Sequence, residues 1–448
     1  MNNNISSLLY KLYILCLPFG RLFDLPFGDL YNKVITQFST LLMLIGVFVL
    51  LMSNVKIRNS RNCLFYNFYL YMLVASFVMS CVLIFIVDIH SENPFSAILG
   101  DIILYYFVVL SISYNGYCLT RLLPFNSLYT IFDWQVIILL IIGYAQLAGM
   151  LGFPGPYNLL SSVFALRELS WLSDLERGVT FFGTEPSSAA ILTFIVIPYL
   201  FSSIRYNRGL KRFYYICASF LFSILVLGSN SSQMLIMFLT SLALFIWSSY
   251  RPISKFFFYG SFCIGLFFVL SYLSVDNLTL TNNRENSSLE YAVLGKVLDR
   301  ENRSTAMRAS TVINDMKVFF DYPLTGVGNG NQGFFYAQNQ PTWTLISDEV
   351  NDLISSNTIP NGGGNIFPSL LSAYGIIGIF VFLFFLSRYK KLYCTSFLQC
   401  DKRINTIFRI AIVLLLFSGW HVVGIKQSET IIFILSLPCV ASIKKNSI

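Results

Sequence analysis

Apolar runs of about twenty residues, separated by short polar connectors, recur along the chain. A bilayer's hydrocarbon core requires about 20 apolar residues per crossing helix. On that basis the pattern predicts spans near 5–20, 35–53, 63–88, 97–117, 127–151, 186–204, 213–229, 233–250, 256–274, 366–387, 404–424 and 430–443. The first is the weakest, because Lys11 and Pro18 interrupt it. The short turn at Ser229–Ser232 makes the seventh and eighth spans a tight hairpin. The expected fold class is an all-α polytopic membrane protein with about 12 transmembrane helices.

Charge orients these spans. One set of connectors carries Lys56, Arg58 and Arg61, then Arg121, then Arg205, Arg208, Lys211 and Arg212, then Arg251 and Lys255. The same set continues with Arg388, Lys390, Lys391, Lys402 and Arg403 and ends with Lys444 and Lys445; Asp401 is the only acid among them. Short loops rich in Lys and Arg stay in the cytoplasm, so both termini are expected inside. Two longer loops then lie outside, near 152–185 and 275–365. The chain divides into helices one to nine over 1–274, a large outer loop over 275–365, and helices ten to twelve over 366–448.

Composition supports a lipid environment. Of 448 residues, 55% are hydrophobic and only 12% charged, against about 25% charged in soluble domains. The net charge of +8 is scattered in clusters between apolar runs, so nucleic acid is not expected as a partner. The nine cysteines lie in apolar runs or at basic ends, without CxxC spacing, which argues against both a disulfide framework and a zinc site. No small-residue cleavage site follows the first apolar run, so that run is expected to remain as an anchor.

The large outer loop is longer than a connector needs to be. Within it, Ser304–Asp321 predicts an amphipathic helix. Ala309, Val312, Ile313, Met316, Phe319 and Phe320 follow helical spacing, Ser304 is the candidate N-cap, and Pro323 stops the helix. Such a helix would lie on the membrane surface or against the bundle. Arg300, Arg303 and Arg308 surround it. A guanidinium binds phosphate through its planar fork and stays charged, although surface arginines also serve simply as solvated groups or pair with lipid headgroups. In the shorter outer loop, Arg177 precedes Gly183-Thr184-Glu185-Pro186-Ser187-Ser188 at the start of the sixth span. Glu185 reads either as an ordinary acidic first turn or as a carboxylate held over a cleft.

Two glycine-rich stretches invite a phosphate-loop reading. The first, Asp321-Tyr322-Pro323-Leu324-Thr325-Gly326-Val327-Gly328, follows no strand of a βαβ unit, so a nucleotide-binding reading fails. A turn over a ligand or a helix exit remains. The second, Asn361-Gly362-Gly363-Gly364-Asn365, is either an anion-binding nest or a flexible lead into the tenth span. His90 and His421 are candidate bases, and Asp133 is the notable intramembrane acid.

Arg303 together with Asp321-Tyr322-Pro323-Leu324-Thr325-Gly326-Val327-Gly328 resembles the outer-loop signature of the O-antigen ligase/polymerase superfamily. Tyr374-Gly375-Ile376-Ile377-Gly378 resembles the helix that follows, and Gly183–Ser188 resembles an earlier span start. The likeness covers most of residues 150–390. It implies a fold like that of C-type glycosyltransferases and a large periplasmic loop. It also implies a metal-independent, cofactor-free enzyme of the bacterial inner membrane acting on oligosaccharides linked to undecaprenyl diphosphate, in contact with membrane lipids. A chain-length regulator and a flippase are the expected protein partners. Arg177, Arg300, Arg303 and Arg308 would bind the diphosphate, and Glu185, Arg177 and Arg303 would carry catalysis. Ligases of the superfamily carry a histidine just before the tenth span; here the stretch Asn357–Asn365 has none, which favours polymerase. A ligase and a lipid-linked oligosaccharide flippase or transporter are the alternatives.

The orientation is testable with topology reporters. Alkaline phosphatase fused within residues 275–300 should be active, whereas green fluorescent protein fused after Arg208 or at the C-terminus should fluoresce; the reverse pattern would invert the topology.

Overall fold

The computed structural model describes residues 2–19, 38–53, 94–164, 178–182, 194–229, 231–250, 303–328, 331–355, 366–378, 401–418 and 429–437, with positions 74, 77–78, 81–82, 166, 260–261, 263–264 and 380. Every regular element among them is helical. In chain order these are α1 (Asn2–Cys16), α2 (Phe38–Met52), α3 (Pro94–Arg121), α4 (Phe125–Met150), α5 (Gly155–Ser161), α6 (Val196–Tyr206), α7 (Gly209–Gly228) and α8 (Ser232–Tyr250). Then follow α9 (Arg303–Asp321), α10 (Tyr336–Asn339), α11 (Asp348–Ser355), α12 (Ile366–Gly378), α13 (Lys402–Ser418) and α14 (Glu429–Ser436).

Two of these helices are long and apolar enough to cross a membrane, Asn126–Met150 and Gly209–Gly228; Phe38–Met52, Gln233–Ser248 and Ile366–Gly378 are shorter apolar helices. All five fall on expected spans, and the break between α7 and α8 falls at the expected turn. The third and ninth expected spans lie almost wholly outside the described residues.

The first span, weakest by composition, is well anchored. α1 packs against α2 and α4. Tyr10, Tyr13 and Ile14 are fully buried. Their packing is oriented by a buried amide: Tyr10 donates to Asn115 Oδ1 at 3.0 Å, and Asn115 Nδ2 donates to the Tyr13 hydroxyl at 3.0 Å. From α4, Gln135 Nε2 donates to Ile14 O at 2.6 Å. In a low-dielectric interior such bonds are stronger than in water, and each unmade one is costly. The network therefore selects one register for α1.

The basic ends converge at one end of the bundle. Arg205 donates to Ser248 O at 2.6 Å, joining α6 to the end of α8. Tyr206 pairs with Thr406 across 3.3 Å. Arg403 donates to Asn207 Oδ1 at 3.3 Å and lies 4.3 Å above the Tyr129 ring. Asp401, the lone acid of the basic connectors, accepts from the backbone N–H groups of Arg403 and Ile404. It is thus the N-cap of α13, satisfying donors that the first helical turn leaves open.

Asp133 belongs to this same end. Tyr199 of α6 and Tyr215 of α7 both donate to its Oδ1, at 2.6 and 2.8 Å. Asp133 is therefore an acceptor that ties α4, α6 and α7 together. Asp133→Leu removes the acceptor that two tyrosine hydroxyls share; Tyr199 keeps Tyr129 O and the two hydroxyls keep each other, so the cost is about 1 kcal/mol for each hydrogen bond lost. It should lower the thermal midpoint of the detergent-solubilised protein, whereas Asp133→Asn, which keeps an oxygen acceptor, should retain most of it.

Candidate functional site

α9 is the expected loop helix and packs against the bundle. Ala306, Ala309, Val312, Ile313 and Met316 are buried, and Val312 and Met316 join the main core together with Ile366 and Phe367 of α12. Two details differ from the sequence expectation. Ser304 lies inside α9, which starts at Arg303, so it is not the N-cap. Phe320 is exposed, because the chain turns away at Pro323 and leaves that position off the packed face.

Polar residues also dock this helix. Asp315 is 2% exposed. It accepts from Ser369 at 3.0 Å and Ser372 at 3.3 Å, both on α12. On the adjoining face, Asn314 donates to Gln332 O at 2.9 Å and accepts from Asn339 Nδ2 at 3.0 Å. Ser310 and Tyr336 share a hydrogen bond of 2.6 Å. Burial pushes the Tyr336 phenol up from its ordinary value; the Ser310 bond pulls it back and the charge of Glu349 adds to the rise. Tyr336 therefore stays a neutral hydrogen-bonding group at physiological pH.

The Asp321–Gly328 stretch and the Tyr374–Gly378 motif meet backbone to backbone. In an unbroken α12, Ile376 N–H would donate to Ser372 O. Instead it donates to Pro323 O at 2.7 Å, while Ser372 O accepts from Val327 N–H at 2.9 Å and Ala373 O accepts from Gly328 N–H at 3.0 Å. The helix is broken at Gly375, whose φ is +57°, and the loop motif supplies the partners that the break releases. Non-helical backbone near membrane depth is tolerated only where protein or water satisfies it. Gly326 (φ +63°) is required on the other side. A Cβ there would collide with Ser372 O and the Ala373 carbonyl, and one on Gly375 would lie 2.6 Å from Pro323 O. The first glycine stretch is thus a clamp between loop and helix.

A second anchor fixes residues 178–182. Gln146 of α4 acts toward residues 180–181 as a strand would. Its Oε1 accepts from Thr180 N and Phe181 N at 3.2 and 2.8 Å, and its Nε2 donates to Phe181 O at 2.8 Å. Val179 N–H donates to Gly228 O at 3.0 Å. Phe181 takes a left-handed conformation, φ 54°, and stacks on Phe222 with ring centroids 5.7 Å apart. That backbone costs on the order of 1–3 kcal/mol and is held by the Gln146 bonds and the ring burial.

Of the expected site residues, Arg303 and Arg308 are described. Arg177, Glu185 and Arg300 lie outside the described residues, as do His90, His421 and the stretch 361–365. Arg303 is exposed and pairs with Asp348 of α11 at 2.7 Å. Arg308 is half-buried and precedes Asp315 by two helical turns on the same face. Since Asp315 is bonded to α12, Arg308 belongs to the α12 side of α9, toward the beginning of α12. Sequence reading missed Asp315 and Asn314. Their signal was polar residues set in the run Val312–Met316, which a count of apolar positions passes over.

These features are those of a helical protein, consistent with a membrane protein, in which the segment after α9 is hydrogen-bonded into a broken apolar helix and α9 carries two arginines. Residues 217–383 match a family model described as O-Antigen ligase. The match begins within α7 and runs through the broken α12, including the clamp, and supports a relation to the O-antigen ligase/polymerase superfamily. No curated protein matches the chain.

Replacing either clamp glycine forces a left-handed or colliding Cβ, costing more than about 1 kcal/mol. Gly326→Ala and Gly375→Ala should each speed limited proteolysis within the 303–355 loop of membrane-embedded protein. Ala substitution at exposed Thr342, as a control, should leave cleavage unchanged.

Proposed function

We propose that the protein is an O-antigen polymerase of the bacterial inner membrane, with a multi-pass architecture near the twelve spans expected and both termini in the cytoplasm. It transfers a growing glycan from undecaprenyl diphosphate to a hydroxyl of the next lipid-linked repeat unit at the periplasmic face. The observation that carries the choice over a ligase is the lack of histidine in residues 275–365: both histidines, His90 and His421, fall elsewhere. The family match over 217–383 supports the wider reaction class.

In this reaction the C1–O bond to diphosphate breaks and the leaving group keeps the electron pair. A new C1–O bond forms to the acceptor oxygen, whose proton passes to a base. Negative charge grows on the diphosphate, so fixed guanidinium groups lower the barrier by binding the transition state more strongly than the ground state. Arg177, Arg300, Arg303 and Arg308 fill that role. Glu185 is the base. Diphosphate is already a good leaving group, so the scheme needs no metal.

The Arg303–Asp348 pair is compatible with this role. Its side chains are 71% and 72% exposed, and an exposed pair contributes only about 0–1 kcal/mol. A diphosphate, with more charge and a geometry suited to the guanidinium fork, displaces the carboxylate at little cost. A chain-length regulator and a flippase complete the proposed partners.

Deleting the gene should abolish the lipopolysaccharide ladder while sparing a band with one repeat unit on lipid A–core. Loss of that band as well would overturn the polymerase reading. In the complemented strain, Arg303→Ala or Arg308→Ala should reduce polymerisation about 100-fold or more, the scale for losing one charge-stabilising donor, at unchanged protein level. Normal ladders from both variants would remove these arginines from the site.

A further inference from the structure

Beside the Arg303–Asp348 pair lies a cleft of about 530 Å³ between α9 and α11, lined by Met307, Glu349, Asp352, Leu353 and Ser355. Its size falls within the roughly 300–1,000 Å³ typical of small-ligand sites. Met307 stands one turn from Arg303 on the same face of α9, and Asp352 one turn from Asp348 on the same face of α11, so the ion pair stands at the rim. The lining combines two carboxylates and a hydroxyl with an apolar floor from Met307 and Leu353.

That combination discriminates between ligands. Ionised carboxylates accept hydrogen bonds and donate none, so Glu349 and Asp352 suit a ligand rich in hydroxyl donors. They repel phosphate. The apolar floor suits the C–H faces of sugar rings. We propose that this cleft binds the saccharide of a repeat unit, while the diphosphate is held outside it by the arginines. The inference rests on the glycan-transfer reading above and extends it to a second subsite on the loop. α11 would hold the sugar, and its Asp348 would exchange with diphosphate at the rim.

The test uses the full chain in nanodiscs and two separate probes: the source strain's repeat-unit oligosaccharide released from its carrier, and undecaprenyl diphosphate without sugar. Glu349→Gln and Asp352→Asn each remove a charged acceptor and should weaken oligosaccharide binding about tenfold. Met307→Trp, which fills the floor without touching a carboxylate, should weaken it likewise. All three should bind undecaprenyl diphosphate like the unsubstituted chain. Unchanged oligosaccharide affinity in both acid variants overturns the cleft assignment alone. Loss of oligosaccharide binding on chelation also overturns it, since the carboxylates would then be holding a cation. If the unsubstituted chain binds neither probe, the glycan-transfer reading fails and this inference fails with it.

Discussion

The exchange of backbone hydrogen bonds between Pro323–Gly328 and Ser372–Ile376 is the constraint on which the placement of α9 depends. A helix broken within a membrane protein releases carbonyl and amide groups that lipid cannot satisfy. Here the partners come from a loop distant in sequence, so the break and the loop motif require each other. The consequence is positional. α9 leads directly into the clamp and is bonded through Asp315 to the same α12, and these two attachments fix both the pitch and the rotation of the helix that bears Arg303 and Arg308. Substrate contacts on a long loop would otherwise suffer the mobility usual for such segments.

Much of this was legible in the sequence, and what was not has a physical reason. The apolar spacing of 309, 312, 313 and 316 marks the buried face of α9, since periodicity reports burial directly. The glycines at 326 and 375 stand out as motifs, but their pairing does not, because reciprocal backbone bonds leave no side-chain pattern. Asp315 and Gln146 are similarly silent: a polar residue within an apolar run looks the same whether it bonds to a neighbouring helix or faces a cavity. Asp401 is the opposite case, an acid conspicuous among basic residues that proves to be a helix cap. For the site itself, Arg303 and Arg308 were identifiable by residue type and placement, whereas the cleft beside them arises from the packing of α11, whose eight residues carry no apolar stripe long enough to predict.

The bundle uses its polar groups differently at its two ends. At the basic end, Asp133, Tyr199, Tyr215, Arg205 and Arg403 are spent on one another or on helix termini, and they join α4, α6, α7, α8 and α13 into one unit. On α9 the buried Asp315 is likewise spent on α12, whereas Arg303 and Asp348 are exposed and the pair they form is weak enough to be replaced.

Gln146 has a genetic corollary. By bonding to residues 180 and 181 it holds, from within α4, the stretch of chain that separates Arg177 from Glu185. Residues 178–182, which lie between the proposed cation and the proposed base in the sequence, thus share one mooring inside the bundle. Selection acting on the proposed function would register this glutamine although it lies inside the bundle, and compensating changes would be expected there as well as at residues 178–182.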